Sequence, residues 1–143
     1  GAGLKVFVGQ FAKGKIYSEL NALKRIKNIR IEQFGRGCFI QNKQKKKDRE
    51  LAKCGFEKVR EIILRGTYDM VVLDEINIAL SLKLLELKEV VDLINKTPKK
   101  TELILTGRYA HPKVLKIADL VSEIKNKKHY YKKGIRARRG IEY

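Results

Sequence analysis

Tryptophan is missing from this chain of 143 residues, and methionine, histidine, cysteine and proline are scarce at one, two, two and two. The cysteines, Cys38 and Cys54, make no CxxC pair. That excludes a disulfide-dense scaffold and fits a reducing, cytoplasmic setting. The histidines, His111 and His129, leave too few soft ligands for a structural zinc site. His129 lies among tyrosines and lysines with no Asp or Ser beside it, so a nucleophilic triad has no support. No apolar run approaches the roughly 20 residues that span a bilayer, and no signal peptide opens the chain, so no membrane partner is expected. Acidic residues are few as well, 16 Asp+Glu against 33 Lys+Arg, a formal charge of +17. Such a surplus attracts anions: nucleic acid, a nucleoside triphosphate or an anionic lipid surface. It is spread along the chain, with dense patches only at Lys43 to Lys47 and Lys125 to Arg139. A generally basic surface is therefore expected before a nucleic-acid groove.

What remains is ample for one core, since 43% of the residues are hydrophobic. Leu4 to Val8 reads as a strand and Tyr17 to Lys27 as a helix, with Leu20, Leu23 and Ile26 at helical spacing. Asn28 to Phe34 alternates with period two, as a half-buried strand does. Gly35 to Lys47 reads as a loop, and Asp48 as the cap of a helix whose face is Ala52, Phe56, Val59 and Ile63, stopped by Gly66. Tyr68 to Leu73 is a near-continuous apolar run, the pattern of a central parallel strand covered on both faces. A helix over Leu84 to Asn95, a strand over Thr101 to Leu105, a short helix over His111 to Ala118 and a last strand over Leu120 to Ile124 follow. Pro112 suits the first turn of its helix. The tail from Lys125 is basic and irregular. Alternating strands and helices argue an α/β domain, a mostly parallel sheet flanked by helices, with ligands at the carboxyl ends of the strands. The loops after the strands would then share one rim.

Val71 to Leu73 ending in Asp74-Glu75 is how nucleoside-triphosphate enzymes often hold magnesium or polarise water. An Asp capping a helix at a strand end is the plain alternative. Asn77 adds a neutral hydrogen-bonding group. Gly9 to Lys15 matches the G-x-x-x-x-G-K spacing of a phosphate loop, yet Ile16 stands where Ser or Thr should reach the metal, and Phe11 is bulky for such a loop. Lys13 and Lys15 are better read as basic rim residues near a ligand anion. Thr106-Gly107-Arg108 joins a tight turn to a fork of donors suited to phosphate oxygens, or to a surface ion pair. Gly35 to Ile40 could line a flat, partly apolar ligand or pack on its own side chains, and Cys38 is read as a small buried hydrophobe. Aromatics and cations interleave from Lys127 to Arg139. That composition suits single-stranded nucleic acid, a solvated arm, or an arm closing on a triphosphate.

Taken in order, these stretches resemble the corrinoid adenosyltransferases of the phosphate-loop type. The matching stretches are Val8 to Gly14, Gly35-Arg36-Gly37, Asp48-Arg49-Glu50, Tyr68 to Asn77, Leu105 to Arg108, Ala118 to Glu123, Lys128-His129, and Gly134, Ala137 and Gly140 to Tyr143. The resemblance covers essentially the whole chain. It implies a RecA-like phosphate-loop architecture that is incomplete at the N-terminus. One domain over 1–143 would then lack the family's first strand, phosphate loop and first helix. Gly1-Ala2-Gly3, running at once into a strand, fits the edge of a longer chain. It implies adenosyl transfer from ATP to the cobalt(I) of a corrinoid, with magnesium, as a cytosolic homodimer served by a reductase such as a flavodoxin-like protein. Asp74 and Glu75 would lie at the metal and triphosphate, with Arg108 beside them as the catalytic set. Lys13, Gly35, Gly37, Phe39, Asn77 and His129 would border nucleotide or corrinoid. The family's nucleophile is reduced cobalt, so the protein need only hold two substrates in line and stabilise the leaving triphosphate. Two alternatives stand beside this: a basic α/β protein that binds nucleic acid through its tail, and a non-catalytic nucleotide-binding fragment.

Overall fold

A computed structural model describes residues 1–14, 18–36 and 45–141. Its frame is a four-stranded, wholly parallel sheet in the order β2-β1-β3-β4, formed by β1 (Val6–Phe11), β2 (Ile29–Phe34), β3 (Met70–Asp74) and β4 (Glu102–Leu105). The helices are α1 (Ser18–Leu23), α2 (Lys45–Arg65), α3 (Ile76–Ser81), α4 (Leu87–Lys96) and α5 (Pro112–Ile117). The chain steps one way from β1 to β2 and the other way from β2 to β3 and β4. Right-handed crossovers then put α1 on one face and α2 with α4 on the other. The order reverses between β1 and β3, and it is at such a switch point that open α/β sheets bind ligands.

One face is a close-packed core. Phe7 and Phe11 of β1 and Val71 and Leu73 of β3 are fully buried with Phe56, Val59 and Ile63 of α2 and Val90 and Leu93 of α4. The helical face read as Ala52, Phe56, Val59 and Ile63 is thus the buried one, and Gly66, at φ 58, ends α2 as expected. Gly55 lets α2 lie against β2, because a Cβ there would overlap the Phe34 ring. The opposite face carries Val6, Val8, Ile29, Ile31, Met70, Val72 and Ile104, all only half-buried. The apolar run before Asp74 is therefore covered fully on one face, not on both. On the second face of the sheet the crossover helix is α1, six residues with Leu20 alone buried, and it packs on β2.

Other boundaries move for local reasons. The first helix is shorter than Tyr17 to Lys27, because tight turns from Arg25 N to Ala22 O and from Ile26 N to Leu23 O close it and leave Ile26 48% exposed. α2 begins at Lys45, so Asp48 lies in its first turn instead of capping it, where a carboxylate favours the helix dipole. α3 begins inside Asp74 to Asn77, which reads in sequence as a loop after the strand. The expected strand over Leu120 to Ile124 does not form: these residues make no ladder, and Leu120 and Ile124 are 86% and 98% exposed. The preceding α5 buries only Val114, too little apolar face to fold the chain back onto the edge of β4. His111 caps α5 through Nδ1, with Pro112 in the first turn as expected.

Candidate active site at the carboxyl ends of the strands

All four strands are parallel, so their carboxyl ends open on one rim, and the described parts of the loops after them begin there. Asp74 ends β3 at its centre. Lys13 Nζ donates to Asp74 Oδ2 at 2.9 Å and Gln10 Nε2 to the same oxygen at 3.1 Å. The Thr106 hydroxyl donates to Asp74 Oδ1 at 2.7 Å. Burial by itself would raise the Asp74 carboxyl. The hydrogen bonds from Lys13, Thr106 and Gln10, with the charge of Lys13, outweigh it and hold the group below the usual carboxylate range. Lys13 is the mirror case: burial lowers it, and Asp74, then Glu75 and Glu19, raise it above an ordinary lysine.

Glu75 differs from its neighbour. Its backbone is left-handed, φ 60 and ψ 21, a conformation costing a non-glycine residue about 1 kcal/mol or more. The turn is clasped by Thr106, whose hydroxyl accepts from Glu75 N at 3.1 Å and whose carbonyl accepts from Asn77 N at 3.2 Å. Among the described residues, Glu75 Oε2 and Asn77 Oδ1 are buried acceptors without a partner. Burying an acceptor unpaired is costly, so both mark a place where a donor or cation belongs. Gly107, at φ 121, passes so close that a Cβ would stand 3.2 Å from Glu75 Oε2 and from the Asn77 Cβ. Asp74 Oδ2 already accepts from Lys13 and Gln10 and Oδ1 accepts once from Thr106, which leaves one lone pair on Oδ1, whereas among the described residues Glu75 Oε2 is unpartnered altogether. Magnesium binds through one or two carboxylates plus phosphate and water, so this single orphan carboxylate fits it. No group of three or more His, Cys, Asp or Glu exists among the described residues.

Gly35 is placed beside this cluster by packing: a Cβ on it would stand 2.8 Å from the Lys13 backbone N and O. Gly14 likewise meets the backbone of Gly35 and Arg36, so the loops after β1 and β2 interlock at glycines behind Lys13. Arg108 follows Gly107 on the rim, exposed, and among the described residues no carboxylate pairs with it. His129 is not brought to the cluster; its Nδ1 caps the 3-10 turn Tyr130–Lys133 in an exposed tail, where Arg138 lies 4.9 Å over Tyr130. Gly37, Phe39, Cys38 and Lys15 lie outside the described residues. The phosphate-loop spacing from Gly9 is a decoy, as read, for Gly9, Gln10 and Phe11 are buried strand residues of β1. Sequence reading passed over Gln10 and Gln33 as site residues and, though it singled out Thr106-Gly107-Arg108, gave Thr106 no role. Their signal is a polar side chain at the end of each apolar strand, visible only when the register is known.

Comparison with known proteins bears on the same residues. The family described as ATP:corrinoid adenosyltransferase BtuR/CobO/CobP matches residues 1–143. A corrinoid adenosyltransferase of Sinorhizobium sp is 34% identical over 99% of this chain and 68% of its own length. That of Escherichia coli K12 is 30% identical over 100% and 73%, and that of Pseudomonas aeruginosa 32% over 100% and 71%. With a match from end to end and an α/β parallel sheet whose switch point carries the paired carboxylates, the chain belongs to the ATP:corrinoid adenosyltransferase family.

Proposed function

We infer that this protein transfers the 5′-deoxyadenosyl group of ATP to the cobalt(I) of a corrinoid. The cobalt electron pair forms the bond to C5′, the C5′–O bond breaks, and its electrons leave with triphosphate. The observation that carries the reading is the rim at the β1/β3 switch point, where Lys13 and Arg108 stand with Asp74 and the orphan Glu75 and no protein nucleophile is needed. Lys13 and Arg108 attract the triphosphate and answer the charge that develops on it. Asp74 anchors Lys13. Glu75 would hold magnesium, with Asn77 beside it, and when bound the metal supplies neutralisation of the triphosphate. Gly35 sets the approach of the two loops that border the substrates, and Gly37, Phe39 and His129 are read, from the family resemblance, as bordering nucleotide or corrinoid. A homodimer is the proposed assembly, supported by exposed apolar side chains such as Leu120, Ile124 and Ile141 in the tail, and sedimentation tests it. A flavodoxin-like reductase that delivers cobalt(I) is the proposed partner. ATP-dependent conversion of cob(I)alamin, followed by absorbance, tests the activity. Glu75→Gln should reduce it by about 100-fold, the scale of removing one well-placed electrostatic group, and undiminished turnover would overturn the assignment.

A further inference from the structure

The rim holds a continuous hydrogen-bonded row that the paired carboxylates alone do not explain. Gln10 is in register with Gln33 of β2 and with Asp74 of β3, and Leu73 with Leu105, so Thr106 comes beside Asp74 at the next step. One row thus crosses every strand of the sheet. Gln33 Nε2 donates to Gln10 Oε1 at 3.1 Å, Gln10 Nε2 to Asp74 Oδ2 at 3.1 Å, and Thr106 Oγ1 to Asp74 Oδ1 at 2.7 Å. Gln10 is only 4% exposed. A glutamine buried among valines is costly unless both ends of its amide are satisfied, and here both are. The hydroxyl of Thr106 has a single proton, which it gives to Asp74. Its lone pair is therefore left for the Glu75 N–H, and the row ends on the one backbone position of this turn that is left-handed.

We propose that Thr106 and Gln10 are positioning residues for adenosyl transfer: with Gln33 they lock Asp74 across the sheet, and through the Thr106 hydroxyl they fix the turn that aims Glu75. The proposal rests on the function inferred above. Neither residue touches substrate; each acts through Asp74 and Glu75. A lost hydroxyl should therefore loosen the aim of Glu75 without weakening ground-state binding.

Thr106→Val, Thr106→Ser and Gln10→Met test it in two arms. In the first arm, amide hydrogen exchange and the amide resonances of Glu75 and Asn77 are followed in the chain without substrates. Thr106→Val should speed exchange at Glu75 by about tenfold or more, the effect of losing one hydrogen bond. Thr106→Ser should leave it near wild type. In the second, ATP and cob(I)alamin are the substrates, with the chain or a version extended upstream. Thr106→Val should lower kcat by about tenfold with KM for both substrates within about twofold, the pattern of an interaction made only in the transition state, and Thr106→Ser should restore it. Unchanged exchange at Glu75 in Thr106→Val, or a raised KM with kcat intact, would overturn the proposal. Absence of wild-type turnover in the extended version would sink the functional reading instead, while the first arm still decides the strut. If Thr106→Val does not fold, Gln10→Met, which keeps the hydroxyl clasp and removes one donor to Asp74, carries the second arm: it should lower kcat at constant KM, and an unchanged kcat would overturn the claim.

Discussion

Gly107 shows at a single residue what the site demands. Its φ of 121 is one that side chains rarely adopt, and a Cβ would press on Glu75 Oε2 and Asn77 at 3.2 Å. Gly107→Ala should cost about 1–3 kcal/mol from backbone strain, read as a lower urea midpoint, and should cut turnover beyond that by displacing Glu75. Glu32 offers a charge test away from the site. Burial raises its carboxyl, but Lys58 and Arg30 outweigh this and hold it below the ordinary glutamate range. A depressed carboxyl stabilises the fold above its unfolded value, about 4.3, and loses that stabilisation as pH falls through the folded value. Glu32→Gln should therefore be slightly less stable than wild type at neutral pH, by under about 1 kcal/mol for so exposed a pair. The two should converge only once the pH has fallen below the folded value, in denaturation curves run at neutral and acid pH; a gap that persists in acid would assign the loss to packing. At this scale the sequence was informative about chemistry and silent about pairing. Asp74-Glu75 and Thr106-Gly107-Arg108 stand out as motifs, but nothing in the chain says that Thr106 spends its hydroxyl on Asp74. That depends on the register between β3 and β4.

Among the elements, α2 was legible from its helical period and β3 from its near-continuous apolar run. Phe56, Val59 and Ile63 fall on one helical stripe, and Val71 and Leu73 on one strand face. Two short stretches were not: α3 and the unformed strand at Leu120 to Ile124 are decided by what lies beside them, not by their own pattern. The meeting of α2 with β2 at Gly55 and Phe34 permits a test in which two effects oppose. Alanine is a better helix former than glycine by about 1 kcal/mol. Its Cβ, however, would overlap the Phe34 ring, and overpacking costs about 1–3 kcal/mol. Gly55→Ala should thus destabilise by up to about 2 kcal/mol, the smaller gain set against the larger strain. Phe34→Leu in the same chain should recover part of the loss. A Gly55→Ala variant more stable than wild type would show that the ring yields freely and that α2 is not pinned there.

For the whole molecule the telling feature is the uneven covering of the sheet. α2 and α4 seal one face, while Val6, Val8, Ile31, Val72 and Ile104 on the other are half-buried. The rim has charged side chains to attract a triphosphate, yet among the described residues no loop wraps one with backbone N–H groups, and the spacing that imitates such a loop is strand. Phosphate-loop enzymes draw most of their grip on the triphosphate from those groups, and loss of even one donor to developing charge costs about 3 kcal/mol. A polypeptide of these 143 residues alone is therefore predicted to turn over ATP and cob(I)alamin at least about 100-fold more slowly than one extended upstream in its coding sequence. The half-covered face supplies a readout independent of catalysis. The shorter chain should bind a hydrophobic dye, and Val8→Lys or Val72→Lys should abolish that binding with little loss of fold. In the extended chain the same face should be covered and the dye excluded, with Val72→Lys now strongly destabilising, because a charge would be buried without a partner. Equal turnover by the two chains would overturn the argument and return the grip on the triphosphate to Lys13, Arg108 and the loops of this rim.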